Sequence, residues 1–149
     1  MMSSDNEMND ADMAFGSGIA AFEAKNFAQA MGFLGPVAEN GDAEAQHRCA
    51  IMLQNGLGCV VNAEKAFKYM KSAAEQGHAV AQHGLGFMYM EGECVEQDGQ
   101  QAIKWFEKAA EQGLMGSLTT LAMMYEEGKG VEKDLAEAKR LYKLAGFDQ

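Results

Sequence analysis

Three glycines, Gly41, Gly77 and Gly113, stand 36 residues apart, and the residues between them recur in register without a gap. Met52, Met88 and Met124 share one phase, as do Gly56, Gly92 and Gly128, then Asn62, Asp98 and Asp134, then Ala66, Ala102 and Ala138. The run Ala73, Ala74, Glu75, Gln76 and Gly77 returns as Ala109, Ala110, Glu111, Gln112 and Gly113. A period of this length is that of a helical hairpin, which cannot bury its apolar face alone and is stable only when copies stack. The pattern therefore predicts an all-α fold, an α/α solenoid of about four antiparallel helix pairs. The pairs are placed at about 12–41, 42–77, 78–113 and 114–149, in one domain over 12–149, and residues 1–11 read as a mobile acidic tail.

The copy from Ala79 to Gly113 reads A-x-A-x-x-x-L-G-x-M-Y-x-x-G-x-x-V-x-x-D-x-x-x-A-x-x-W-F-x-K-A-A-E-Q-G. This pattern resembles the Sel-one-like repeat (SLR), the longer-loop relative of the tetratricopeptide repeat. The resemblance covers about three repeats, from about residue 42 onward, and is looser before that point. It implies a tetratricopeptide-like superhelix that binds other proteins, with the first helix of each pair on the inner, concave surface.

Within the repeats, the first helices are expected at Ala43 to Asn55, Ala79 to Glu91 and Met115 to Glu127. Each is followed by a glycine suited to a left-handed C-terminal turn. The second helices begin after Asn62, Asp98 and Asp134, whose side chains can accept from the free N–H groups of a first turn. Gln101 and Glu137 complete a capping-box spacing. The leading hairpin, Asp12 to Ala24 and Asn26 to Asn40, lacks the long glycine-valine loop and takes its apolar face from Phe22, Phe27, Phe33 and Leu34. Pro36 falls inside its second helix and predicts a kink or an early end.

Composition narrows the function. Twelve basic residues stand against 22 acidic ones, for a net charge of −10. Such a field disfavours nucleic acid and favours a cationic protein or peptide. Cys49, Cys59 and Cys94 are too few and too irregular for a disulfide framework. Cys49 replaces Leu85 and Cys59 replaces Val95, so both read as small apolar residues, whereas Cys94 replaces a loop glycine. No Cys/His cluster has zinc spacing, and no metal or cofactor is expected. MMSSDNEMND has neither the positive charge nor the apolar run of a signal peptide, and no stretch has the apolar length of a membrane span, so the expected compartment is the cytoplasm.

Helical spacing separates two faces of each first helix. Ala81, Leu85, Gly86, Met88 and Tyr89 make the packing stripe. The opposite stripe is Glu44, His47, Ile51 and Gln54, then Val80, His83, Phe87 and Met90, then Gly116, Thr119, Met123 and Glu126. Ile51, Phe87 and Met123 would form an apolar ladder, extended by Phe15, Ile19 and Phe22 and edged by Glu23, Glu44, Glu91, Glu126 and Glu127. Such a ladder marks a partner site unless the array's own curvature or a second copy covers it. The expected occupant is an apolar residue flanked by lysine or arginine. His47 and His83 share a phase, which would make binding sensitive to mildly acidic pH. Trp105 shares its phase with Tyr69 and Leu141 and reads as core.

No nucleophile with its base, no carboxylate pair and no phosphate-binding loop is present, so the chain is not expected to be an enzyme. Two functions remain. One is an interaction module or adaptor that holds a protein or peptide. The other is an acidic immunity protein that neutralises a secreted antibacterial toxin, its charge steering it to a basic target. The last hairpin has no polar capping helix, so Leu141, Tyr142, Leu144 and Phe147 could form a homodimer contact or a frayed end.

Overall fold

The computed structural model describes residues 9–147, which form eight α-helices. These are α1 (Asp10–Glu23), α2 (Phe27–Glu39), α3 (Ala43–Asn55), α4 (Ala63–Glu75), α5 (Ala79–Glu91), α6 (Gly99–Glu111), α7 (Met115–Glu127) and α8 (Leu135–Leu144). Most of the expected acidic tail lies outside the described residues. Asn9 already caps α1 by accepting from the Asp12 N–H at 2.8 Å, and the helix starts at Asp10, two residues earlier than its spacing suggested.

The helices fall into two compact units, one ending at Ala73 and the other beginning at Ala74. In the first, α1 packs on α2 and α2 on α3; in the second, α5 packs on α6, α6 on α7 and α7 on α8. The phase-locked methionines Met52, Met88 and Met124 are buried, as are Ala66, Ala102 and Ala138 and the aromatic-phase residues Tyr69, Trp105 and Leu141. Small buried alanines let helix backbones approach, while Leu85, Phe106 and Leu121 add bulk to the core.

One loop, repeated three times, builds the hairpins. Gly56, Gly92 and Gly128 end their helices at φ 67°, 69° and 72°. The next N–H groups, of Leu57, Glu93 and Lys129, donate back to the carbonyls of Met52, Met88 and Met124, each at 2.9 Å. The loop then returns so that the N–H groups of Asn62, Asp98 and Asp134 donate to Leu53, Tyr89 and Tyr125, again at 2.9 Å. Their side-chain oxygens in turn accept from Lys65, from Gln100 and Gln101, and from Glu137, capping α4, α6 and α8. Two ends of the loop are thereby satisfied by its own hairpin.

Buried glutamines tie successive helices. Gln46 Nε2 donates to the Ala38 carbonyl at 3.1 Å, and Gln82 Nε2 to the Ala74 carbonyl at 3.2 Å. Each adds a second donor to a carbonyl at a helix C-terminus that also accepts from the Gly41 or Gly77 N–H at 3.0 Å. The fourth hairpin carries Leu118 at this phase and lacks the tie. Pro36 does not end its helix, which runs on to Glu39. Pro36 and Gly32 both lie on the exposed side of α2, so the carbonyl that loses its donor there is open to water. Phe33, placed in the apolar face by its spacing, is exposed instead.

Cys94 stands at φ 67°, in the place where the other loops carry Gly58 at φ 67° and Gly130 at φ 71°. A left-handed backbone costs a residue with a Cβ about 1–2 kcal/mol, partly offset by glycine's larger unfolded entropy. Cys94→Gly is therefore expected to stabilise the chain by about 0.5–1 kcal/mol, read as a melting temperature about 2 °C higher. Gln82→Ala should act in the opposite direction, removing one of the two hydrogen bonds on the Ala74 carbonyl, which keeps that from the Gly77 N–H, at a cost of about 0.5–1.5 kcal/mol read by urea denaturation.

Candidate functional site

In the second unit the stripe on α5 is the most open apolar surface of a first helix. Val80 is 48% exposed and Phe87 41%. His83 lies between them, half-buried, with its ring 6.2 Å from that of Phe87 and 5.2 Å from that of Phe106. Its Nδ1 is 2.8 Å from Ser117 Oγ on α7. Ser117 is fully buried and shares its phase with Ala45 and Ala81, so it adds a hydroxyl to a core methyl position, and that hydroxyl is hydrogen-bonded to His83. A polar residue in an alanine phase was the readable signal for this pair, which spacing alone did not reveal.

Met90 corrects the expected stripe. It is 0% exposed and sits in the core with Phe106, Leu121 and Leu141. One turn earlier on α5 stands Gly86, where a Cβ would meet the Phe106 ring at 2.9 Å, so this side of the helix presses into the core. Met90 cannot touch a partner without unpacking it. On α7, Thr119 and Met123 are half-buried, and Glu126 and Glu127 are exposed. Glu91 is exposed and holds Lys129 Nζ at 2.7 Å, and Glu126 accepts from Tyr142 OH at 3.0 Å.

In the first unit the stripe is less free. Ile19, Phe22, Glu44 and Ile51 are half-buried, and His47 is buried rather than a surface residue. His47 Nδ1 lies 3.9 Å from Glu44 Oε2, and Arg48 Nε donates to that same oxygen at 2.8 Å. The Arg48 guanidinium also covers the Phe22 ring at 4.8 Å, while Phe27 meets that ring edge-on at 5.4 Å. Glu44 is thus paired and Phe22 is roofed, and the α5 stripe is left with the more exposed apolar side chains.

Charge is sorted along the helices. Arg48 is the one cation in α1, α3, α5 and α7, whereas α4, α6 and α8 carry lysines and arginine throughout. Glu23, Glu91, Glu126 and Glu127 stand at first-helix C-termini, where no basic residue occupies the last turn. The carbonyl end of a helix is itself negative, so acids there add to a local field that attracts cations.

A chain of helical hairpins repeated at 36 residues and joined by left-handed glycine turns is an α/α-solenoid protein. No helix among the described residues is long and apolar enough to cross a membrane. The Sel1 repeat profile matches residues 43–78, 79–114 and 118–146, and the chain belongs to the Sel1 repeat family. This fold is generally a protein–protein interaction module, and its members are generally non-enzymatic scaffolds. Among solved structures, c5321, a protective antigen present in uropathogenic Escherichia coli strains that displays an SLR fold, is 31% identical with a TM-score of 0.82 over 91% of this chain and 30% of its own. A Sel1 repeat protein from Oxalobacter formigenes is 35% identical with a TM-score of 0.74, over 86% of this chain and 53% of that one. The chain thus spans 30% and 53% of the length of these two proteins. Cysteine rich protein B of Helicobacter pylori, 21% identical with a TM-score of 0.56, shares the fold. No curated protein matches the chain.

Burial holds the His83 imidazole below its ordinary value of 6.5. The unfolded chain then binds a proton that the folded chain refuses, so the stability is complete above about pH 6.5 and falls as pH drops from there toward the lower folded value. Urea denaturation at about pH 7.5 and about pH 5.5 should show a loss at the lower pH that is smaller in His83→Gln, and equal losses in both would overturn this assignment.

Proposed function

We propose that this protein is an interaction module that binds a protein or peptide on the outward stripe of its first helices. The stripe on α5 acts as the anchor. Supporting this reading is the exposure of Phe87 and Val80 on one side of α5, where a soluble helix normally carries polar residues. His83 stands between them as a polar group that can orient an incoming chain. Ile51 on α3 and Thr119 and Met123 on α7 extend the same phase, and Glu91, Glu126 and Glu127 supply negative charge. The occupant that fits is an apolar side chain flanked by lysine or arginine, met in the cytoplasm, with residues 12–149 acting as one domain. Oriented binding, rather than catalysis, is what such a surface offers.

The net charge of −10 also favours a second reading, an immunity protein that blocks a basic secreted toxin by stoichiometric binding. The two differ in the number and tightness of partners. Proteins captured by the native chain and identified by mass spectrometry would be one tight stoichiometric partner for the inhibitor, and several weaker ones sharing a short motif for the adaptor.

Either reading predicts that Phe87→Ala weakens the captured partner by about tenfold or more, with Ile51→Ala acting in the same direction. The melting temperature should change by less than about 2 °C. Calorimetric titration of the partner, paired with thermal unfolding, checks this, and an equal loss of stability would place Phe87 in the core and remove the site.

A further inference from the structure

The second helices share one phase, in which Phe33 on α2 corresponds to Tyr69 on α4, Trp105 on α6 and Leu141 on α8. The last three are buried, yet Phe33 is 41% exposed. Lysine side chains cover the two aromatic ones among them. Lys65 Nζ lies 5.6 Å from the Tyr69 ring centroid, and Lys104 and Lys108 Nζ lie 4.9 and 5.9 Å from that of Trp105, so ammonium groups and their stems roof these rings. At the same phases α2 carries Gln29, Gly32 and Pro36, and the roof is gone.

The glycines there serve nothing inside the chain. A Cβ on Gly32 or Gly35 would meet no atom within 4 Å, and neither has a left-handed φ. Each still costs the helix about 1 kcal/mol relative to alanine. The missing side chains leave a cavity of about 290 Å³ lined by Gln29, Gly32 and Phe33. From Asn26 to Ala38 no residue is charged, in a chain that is 23% charged.

The same bareness continues on the loop after α3. Val60 and Val61, both exposed, stand where the other loops carry Glu96 with Gln97 and Glu132 with Lys133. Gly58 holds this loop against the start of α2, for a Cβ on it would lie 2.3 Å from the Ala28 nitrogen.

A knob, Phe33, and a hole, the space over Gly32, therefore sit side by side on α2 within its uncharged stretch, which ends before Glu39. Two such helices related by a two-fold axis set each phenyl ring over the other's glycine. Charge selects this surface for self-contact. Two chains at −10 repel over most of their surface, and a symmetric contact brings each patch against its own image, so a neutral patch is required. The exposed Leu144 and Phe147 lie beside Arg140 and Lys143 and do not meet that requirement. We propose that the outer face of α2, continued by Val60 and Val61, is a homodimer interface.

Sedimentation velocity of the full chain from micromolar to millimolar concentration tests this. A monomer–dimer equilibrium is expected that strengthens severalfold on going from low salt to about 0.5 M NaCl, as like-charge repulsion is screened and apolar contact is favoured. Gly32→Lys installs the residue found at positions 68 and 104, raises helix propensity and so should fold, and is expected to weaken the dimer at least about tenfold. Val60→Glu with Val61→Gln copies positions 96 and 97 and should weaken it less. A chain that stays monomeric at millimolar concentration, an undiminished dimer in Gly32→Lys, or a dimer that dissociates with salt would overturn the proposal. Partner binding at Phe87 is measured separately and should survive Gly32→Lys, so the two readings fail independently.

Discussion

The three repeats hang on the left-handed glycine at the end of α3, α5 and α7. Without a Cβ the chain can reverse there at φ near 70°, and the following N–H groups fold back onto the carbonyls of Met52, Met88 and Met124. The return leg is fixed by a second bond, from Asn62, Asp98 or Asp134 to the helix just left, and the same residue's side chain starts the next helix. One loop thus ends a helix, sets the crossing and caps its successor. Because these bonds have the same lengths in all three copies, each hairpin emerges in the same phase, and the surface stripes of the helices follow from that.

Within this frame three buried polar side chains, Gln46, Gln82 and Ser117, make hydrogen bonds beyond their own helices. Gln46 and Gln82 reach the Ala38 and Ala74 carbonyls near the ends of α2 and α4, adding a second donor to those of the Gly41 and Gly77 N–H groups. Ser117 is satisfied by His83, which draws that imidazole half into the core and leaves its other edge toward the α5 surface. The fourth hairpin departs from the scheme at Leu118, where an apolar side chain replaces the tie. Here packing takes over the work of a hydrogen bond.

Charge is distributed as unevenly as the apolar surface. Lysines ride on α4 and α6 and cover their aromatic phase, while α1, α5 and α7 end in acids and α5 exposes Val80 and Phe87. The first pair is the exception on the second-helix side, since α2 has glycines where its counterparts have cations. A cation that covers a ring protects it from other chains; a glycine in its place leaves the ring available.

The repeat alone determined α3 to α8, the caps at Asn62, Asp98 and Asp134 and the buried methionine, alanine and tryptophan phases, because left-handed glycines and capping side chains act within a few residues and are visible at fixed spacing. Pro36 misled at this level, since its lost bond falls on an exposed face where water substitutes. What only the tertiary structure decided is which members of a stripe reach solvent. Met90 shares the helical phase of the exposed row yet lies wholly in the core, Glu44 is held by Arg48, and Phe33 is bare while Trp105 is covered. Exposure depends on the volume of side chains contributed by neighbouring helices, and that volume is set by packing across the hairpin rather than by the spacing of residues along one helix.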